Sequence, residues 1–506
     1  MSAPMGPAGA GQRPGGRGGR GGRVQPAELS ARVRSSLGWS LASQIVVRVL
    51  TVGSTVVLLH LVTPGEYGVY IYSLAVVTVV MAFNDVGQAV AVARWPGPGI
   101  EAAGRCCTTI AWAASAASFA ACTATAAALA RLGGTPTATG VVRLLAVLVL
   151  IDGLTAVPRA LLLRSFRHRV VALGDLAGVL VNIAVALSLA LAGAKAWAPA
   201  VGTVVAATVT AGVVLLAAPA IPRPGWDRRV ARQALGFGLP VAAALLVELL
   251  LLNVDYVVVG NQLGASALGL YAVAFNVASW PVTLFTQGIR RVSVAAFANL
   301  LDNHGDLGAA LARSGSVLAT VLLPVCVGLA VLAEPLLRIL YGARFAHVAG
   351  VLSWLVVLAG ARVATGLVVD VLLSQGRSGA IVRLQVLWLL AAVPALIAGA
   401  QLGGLTGVAA AHALVGLVLA LPLHFVAVRH LGVNSPALRR ALVRPLAAAA
   451  AALAVGATAA SIVHGPWLEA AAAGTALTAT YVVGAIRPSR LRAAFTLRGA
   501  NAASGR

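Results

Sequence analysis

Residues 252–275 read LNVDYVVVGNQLGASALGLYAVAF, and they join two long apolar segments through a short polar turn. The segments extend over residues 235–260 and 268–290. Each is therefore at least as long as the roughly 20-residue helix that crosses a lipid bilayer. A helix satisfies its own backbone hydrogen bonds in hydrocarbon, so it is the expected form of such a segment. This stretch predicts a pair of transmembrane helices.

Similar apolar segments recur along the 506-residue chain, which is 59% hydrophobic and 10% charged. Soluble domains contain roughly 25% charged residues, and a soluble core does not absorb so much apolar sequence. We therefore predict an all-α integral membrane protein with about fourteen transmembrane helices. The predicted spans, numbered 1 to 14, are 37–62, 69–93, 106–130, 141–162, 171–191, 197–218, 235–260, 268–290, 315–333, 348–372, 381–400, 405–428, 441–463 and 466–486.

The positive charge of the chain is distributed unevenly between the two sides of these spans. A net charge of +23 invites a nucleic-acid-binding interpretation, but the basic residues lie in tails and short loops. With a cytoplasmic N-terminus, 30 of the 37 Lys and Arg residues fall on the cytoplasmic side. This bias follows the positive-inside rule, so we predict a multi-pass protein with both termini in the cytoplasm and no nucleic-acid partner. The external side holds Arg131, Arg143, Lys195, Arg338 and Arg344.

An internal repeat divides the spans into two groups of six. Gly68–Tyr70 and Gly269–Tyr271 share a Gly-apolar-Tyr pattern at an offset of 201 residues. The even number of intervening spans makes the repeats parallel, as in transporters that alternate between inward-open and outward-open states. The predicted organisation is a disordered Gly/Arg-rich cytoplasmic tail (1–34), a six-helix half (35–218), a cytoplasmic linker (219–234), a second six-helix half (235–428), two further helices (441–486) and a cytoplasmic tail (487–506).

Signatures of catalysis and of metal or cofactor binding are missing from the sequence. The four cysteines have neither metal-ligand spacing nor a disulfide pattern. There is no phosphate-binding loop and no His/Glu metal motif. We therefore predict a protein that is not an enzyme, with no catalytic residues, no metal site and no cofactor.

Polar residues inside the spans are the candidate functional residues, because ionisable groups are costly in the membrane. In span 1 they recur every three or four residues, which places them on one face of a helix. Span 8 has the same design. The span 1 set is Ser40, Gln44, Arg48, Thr51 and Thr55, and the span 8 set is Asn276, Ser279, Thr283, Gln287 and Arg290, with Arg291 directly after the span. Further intramembrane charges are Asp85, Asp152, Glu248, Asp255 and Arg362.

Two interpretations of these residues remain open. In the first, spans 1, 2, 7 and 8 line a hydrated cavity between the halves, in which arginines bind an anion and carboxylates act as counterions or ion-coupling groups. In the second, the charges form internal pairs that hold helices together, such as Arg48 with Asp85 or Asp255. The whole polar face around Arg48 favours the first interpretation for that residue. His412 and His424 are isolated on apolar helices, and we expect them to pack or form hydrogen bonds.

Four stretches resemble one family of transporters. They are LVTPGEYGVY (61–70), NDVGQAV (84–90), the 252–275 stretch and LAEPLLRILYGARF (332–345). The chain resembles the polysaccharide flippases of the MOP superfamily, which are related to lipid II flippases and to MATE multidrug extruders. The similarity covers about residues 35–430. The chain departs from the family pattern at Tyr341–Phe345, where relatives usually carry an acidic residue and a tryptophan.

The resemblance implies export of a polyprenyl-diphosphate-linked oligosaccharide from the inner to the outer leaflet of the bacterial cytoplasmic membrane. It also implies polysaccharide polymerases and glycosyltransferases as partners, besides the lipid-linked substrate and the bilayer. The alternatives are a drug or metabolite exporter on the same scaffold and a membrane glycan polymerase or ligase. On this reading the diphosphate is bound by Arg48, Arg290, Arg291 and Arg362, and the cavity is lined by Gln44, Thr51, Asn276, Thr283 and Gln287. Asp85, Asp152, Glu248 and Asp255 are the candidate counterions or coupling groups.

Overall fold

The computed structural model describes residues 46–84, 92, 95, 99–165, 167–218, 223–302, 307–429, 435–463 and 465–485. Within these ranges the chain is helical and forms no strand. The long helices are α1 Val46–Leu61, α2 Pro64–Asn84, α3 Ile100–Leu132, α4 Val147–Arg164, α5 His168–Leu191, α6 Trp197–Ala217, α7 228–263, α8 265–302, α9 Leu307–Val331, α10 Ala349–Ser374, α11 378–402, α12 405–429, α13 Ser435–Ile462 and α14 Pro466–Ala485. They match the fourteen predicted spans one for one and confirm the all-α membrane fold.

The turn between α7 and α8 is much tighter than the sequence predicts. The helix is continuous from Arg228 to Asp302 except at Gly264, where φ is 86°. Glycine adopts positive φ without the steric cost that a Cβ brings. The two helices run antiparallel, since Tyr271 in α8 donates a hydrogen bond to Asp255 in α7 at 3.0 Å. A single residue therefore replaces the expected loop, 261–267.

The two six-helix halves touch through the repeated glycines. A Cβ on Gly68 would overlap the carbonyl oxygen of Ala265, and a Cβ on Gly269 would overlap that of Pro64. Glycines allow membrane helices to approach backbone to backbone. The repeat detected in the sequence is thus the contact point between α2 and α8, one glycine from each half.

The loops alternate between two faces of the bundle. On one face, Asn261 donates a hydrogen bond to the Leu132 carbonyl oxygen at 2.7 Å, and Arg344 donates one to that of Leu59. On the opposite face, Arg164 donates to the Trp95 carbonyl oxygen at 2.7 Å, and Arg167 to that of Ala217 at 2.7 Å. This alternation agrees with the predicted sequence of crossings. The second face carries the arginine-rich loops.

The last two helices pack against the C-terminal half. Ala448, Ala452, Leu477 and Tyr481 form a buried cluster between α13 and α14, and Leu323 of α9 packs against it. The hydroxyl of Tyr481 also donates a hydrogen bond to the Ala319 carbonyl oxygen of α9 at 3.4 Å. α13 and α14 therefore extend the C-terminal half rather than forming a separate unit.

Candidate functional site

Arg48 of α1 reaches across to the C-terminal half. Its Nη2 donates a hydrogen bond to the Ser279 hydroxyl of α8 at 3.3 Å. Its Nε is buried and has no hydrogen-bond partner among the described residues. An arginine in a membrane span normally satisfies its donors, because unpaired charge is costly there. Within the part of the chain that the structure describes, Arg48 therefore has one unpaired donor at the junction of the two halves.

Arg362 of α10 occupies the interior of the C-terminal half. Its Nη2 donates a hydrogen bond to the Leu251 carbonyl oxygen at 3.2 Å, and its guanidinium lies 5.6 Å from the centre of the Phe275 ring. It also interacts electrostatically with Asp255 and Glu248 of α7. The two nearby carboxylates offset the cost of burying this charge.

Asp255 is the centre of a buried cluster that joins three helices. The side chains of Asp255 and His412 are fully buried. Besides accepting the Tyr271 hydrogen bond, Oδ2 of Asp255 lies 3.6 Å from Nδ1 of His412 in α12. The Tyr256 backbone N–H donates to Oδ1 at 3.0 Å. Asp255 thus connects α7, α8 and α12, as the helix-holding interpretation predicts, although the partner is His412 rather than Arg48.

A cavity of about 720 Å³ lies inside the C-terminal half. Its wall is mostly apolar, and its charged residues are Glu248 and Arg362. Ser279, the partner of Arg48, is also part of the wall. The polar remainder of the wall consists of Thr283, Thr365, Ser378, Gln385, Trp388 and His424. The cavity is therefore amphipathic, with its charges at α7 and α10.

This cavity is distinct from the predicted one, which stays a prediction because part of its expected lining lies outside the described residues. The predicted cavity lies between the halves and is lined by spans 1, 2, 7 and 8. The observed one is lined by α7, α8, α10, α11 and α12. The glycine contact between α2 and α8 brings the halves together at one face, and the packing of the C-terminal half leaves space within it.

The predicted site residues fall into distinct groups. Glu248, Thr283 and Arg362 line the cavity, and Arg48 contacts its wall. Thr51 and Asn276 use their polar groups within their own helices: the Thr51 hydroxyl donates to the Val47 carbonyl oxygen, and Asn276 accepts from Trp280. Asp152 lies in α4 of the other half. Gln44 and Asp85, and the side chains of Gln287, Arg290 and Arg291, lie outside what the structure describes, so their roles stay predictions.

Three residues of the site, His412, Gln385 and Trp388, are not among the predicted site residues. His412 stands alone on an apolar helix, and its partner Asp255 lies 157 residues earlier, so only the tertiary structure pairs them. Gln385 and Trp388 lie on span 11, which is largely apolar after Arg383. An amide and an indole three residues apart on one helix were the available hint.

A family model described as "Polysaccharide biosynthesis protein" matches residues 57–350, more than half of the chain. The chain belongs to this family. The matched region covers α2 to α9 and the start of α10, including both repeated glycines, Asp255 and Ser279.

Two curated relatives of this polysaccharide biosynthesis protein match it over part of their length. Lipopolysaccharide biosynthesis protein WzxC of Escherichia coli (strain K12) is 27% identical over 211 residues, 41% of this chain and 43% of that protein. Teichuronic acid biosynthesis protein TuaB of Bacillus subtilis (strain 168) is 26% identical over 197 residues, 38% of this chain and 40% of that protein. The chain thus spans about two fifths of the curated relatives that it matches.

Solved structures of other proteins share the fold of this chain. The lipid II flippase MurJ in an inward closed conformation aligns with a TM-score of 0.73, covering 88% of this chain and 99% of that one at 13% identity. An inward-facing MATE family multidrug resistance transporter of the MOP superfamily aligns with a TM-score of 0.65, covering 77% and 95% at 16% identity. The polysaccharide biosynthesis protein therefore has the MATE-like fold that the sequence resemblance predicts.

Proposed function

We propose that this polysaccharide biosynthesis protein is a flippase. It moves a polyprenyl-diphosphate-linked oligosaccharide from the inner to the outer leaflet of the bacterial cytoplasmic membrane by alternating access. Membership of the family supports a role in polysaccharide biosynthesis. The relatives named for lipopolysaccharide and teichuronic acid biosynthesis support a glycan cargo, and the fold shared with a lipid II flippase supports transport across the bilayer.

The observation that carries the proposal is the pair of intramembrane arginines, Arg48 and Arg362, at one cavity. Arg362 lines the cavity, and Arg48 binds the wall residue Ser279. A diphosphate needs charge-assisted donors in a forked geometry, which guanidinium groups supply. A cationic drug would instead require a predominantly acidic cavity, so the arginines favour an anionic cargo over the exporter alternative.

The arginine-rich face of the bundle is the cytoplasmic face in this proposal. It follows that both termini are cytoplasmic and that the anionic cargo moves outward. A membrane potential that is negative inside then favours transport by about 2.3 kcal/mol per charge for each 100 mV. Glu248 and Asp255 serve as counterions of Arg362, with Asp85 and Asp152 as further candidate coupling groups. Glycosyltransferases that build the cargo and polymerases that consume it are the proposed partners, and no catalytic step is assigned to this chain.

Transport in proteoliposomes tests the proposal. A polyprenyl-diphosphate-linked oligosaccharide with a fluorescent sugar is placed in the vesicles, and its appearance on the opposite leaflet is followed by quenching with a membrane-impermeant reductant. We expect Arg48→Ala and Arg362→Ala each to slow transport at least about tenfold, since each removes a charge-assisted contact with the diphosphate. The matched control is Arg143→Ala, which changes an exposed arginine and should leave the rate unaltered.

Two results would contradict the proposal. Wild-type rates in both arginine variants would exclude these arginines from the path of the cargo. Export of a cationic dye by wild-type vesicles that leave the lipid-linked glycan in place would favour the exporter alternative. Gel analysis of the same glycan checks for polymerase or ligase activity, because elongation by the purified protein would show a catalytic role.

A further inference from the structure

Two buried polar atoms in the wall of the C-terminal cavity have no hydrogen-bond partner among the described residues. They are Oε1 of Gln385 and Nε1 of Trp388, both in α11. Trp388 is only 4% exposed. The residues are three positions apart, so they project from the same side of the helix. Buried polar atoms in folded proteins almost always have a hydrogen-bond partner, so two exceptions on residues that line one cavity require an explanation.

The indole of Trp388 packs against α12. Its Cζ2 is 3.4 Å from the position that a Cβ on Gly416 would occupy. The His424 ring lies 6.2 Å away, measured between ring centres, in an edge-on arrangement. Nδ1 of His424 is occupied by the Ala420 carbonyl oxygen at 2.8 Å. Gly416 and Ala420 belong to a π-helical turn, Val415–Ala420, and such turns are frequent at functional sites.

The chemistry of the two atoms selects one kind of ligand group. An indole N–H only donates a hydrogen bond, and an amide oxygen only accepts one. A hydroxyl group does both, so it satisfies either atom. A phosphate offers acceptors alone, and an isoprenoid chain offers neither donors nor acceptors. The pair therefore favours a neutral, hydroxyl-bearing group over the charged and apolar parts of a lipid-linked substrate.

We propose that Gln385 and Trp388 form a subsite for a sugar ring. The assignment of the hydroxyl group to a saccharide rests on the proposed flippase function. The subsite shares its cavity with Arg362, so the sugar nearest the lipid binds at α11 while the diphosphate binds at the arginines. The largely apolar wall packs against the faces of the ring. A volume of about 720 Å³ is within the range of roughly 300–1,000 Å³ typical of small-molecule sites.

Calorimetric binding of three soluble probes tests the subsite. The wild-type protein is placed in nanodiscs of phosphatidylethanolamine and phosphatidylglycerol and titrated with hexyl β-D-glucoside, hexyl phosphate or a hexyl triethylene glycol ether. We expect the glucoside to bind, and Trp388→Phe and Gln385→Leu each to weaken its affinity about five- to tenfold through loss of one hydrogen bond. The matched controls are Trp354→Phe and Gln401→Leu, which change exposed residues and should bind as wild type does.

The subsite is wrong if folded wild-type protein does not bind the glucoside, or if both variants bind it as wild type does. Equal dependence of hexyl phosphate binding on Trp388 and Gln385 would also overturn it. A hexyl glucoside with a photoreactive chain gives a second measurement on wild-type protein alone, and it should label α10, α11 or α12. Labelling confined to other helices contradicts the proposal. Because binding requires no transport, retained glucoside binding without glycan flipping would refute the proposed function and leave the subsite intact.

Discussion

The two halves of the molecule share a fold but differ in how they use the same repeated tyrosine. In the N-terminal half, Tyr70 forms a hydrogen bond with the Thr203 hydroxyl at 3.0 Å. In the C-terminal half, the repeat-related Tyr271 donates to the carboxylate of Asp255 at the same distance. At the 201-residue offset, the counterpart of Asp255 is the partly buried Ser54.

This difference extends to the surroundings of each tyrosine. Asn182 donates a hydrogen bond to the Thr203 hydroxyl that pairs with Tyr70, so this cluster is neutral. Asp255 instead lies beside the ionisable side chains His412 and Arg362. The clearest ion pair of the N-terminal half, Arg159 with Asp175, lies nearer the surface, with side chains about 40% exposed. Among the described residues, the buried Asp and His side chains all lie in the C-terminal half, so a duplicated scaffold can hold its buried charge in the copy that contains the cavity.

Removal of the Asp255 carboxylate should have the largest effect on stability. Asp255→Leu leaves the Tyr271 hydroxyl without its acceptor and removes one of the two carboxylates near Arg362, and breaking a buried charge network costs about 3–5 kcal/mol. We expect a loss of about that size in the free energy of unfolding, measured by titration with a denaturing detergent. Ser54→Leu changes the repeat-related position in the other half and should cost less than about 1 kcal/mol. Equal losses of unfolding free energy in the two variants would contradict the proposed difference between the halves.

Substitution of either glycine at the contact between α2 and α8 should destabilise the protein by a similar amount. Gly68→Ala and Gly269→Ala each place a methyl group against the backbone of the opposite half, and overpacking of this kind costs about 1–3 kcal/mol. We expect similar decreases in unfolding free energy and a greater accessibility of Ser266→Cys to a maleimide. Gly53→Ala in α1, where a Cβ meets nothing within 4 Å, is the control and should be neutral or stabilising. A decrease at only one glycine would contradict the reciprocal contact.

The repeated tyrosines themselves should show the smallest difference. Tyr271→Phe removes a hydrogen bond to a carboxylate, which is worth about 1.5–3 kcal/mol, while Tyr70→Phe removes a neutral one worth about 0.5–1.5 kcal/mol. Unfolding titrations of the two variants should therefore rank Tyr271→Phe as the more destabilised. The reverse order would mean that Asp255 finds another donor when the hydroxyl is lost.

The fold was predictable from the sequence because each membrane crossing has a physical signature in composition. Apolar length set the number of helices, and the basic loops set their alternation. The repeat at Gly68 and Gly269 also identified residues that prove to touch. The one-residue turn at Gly264 was not predictable, because a polar and glycine-containing stretch fits a loop and a kink equally well.

The site was only partly predictable. Glu248 and Arg362 stood out because charge is rare in a span, and they do line the cavity. The location of that cavity did not follow, since a polar helix face shows which side avoids lipid but not which neighbour it meets. His412 and Trp388 depend on partners from distant segments, so their environment exists only after the helices have packed.

The tight turn at Gly264 limits how far α7 and α8 can move relative to each other. A longer loop would let α7 and α8 slide along each other. Here they are joined at one residue and pinned again where Tyr271 meets Asp255. With two fixed points, we expect α7 and α8 to move together as one rigid unit. We expect a tilt of the hairpin at its turn to displace the far end most, where Ala244 and Thr283 line the cavity.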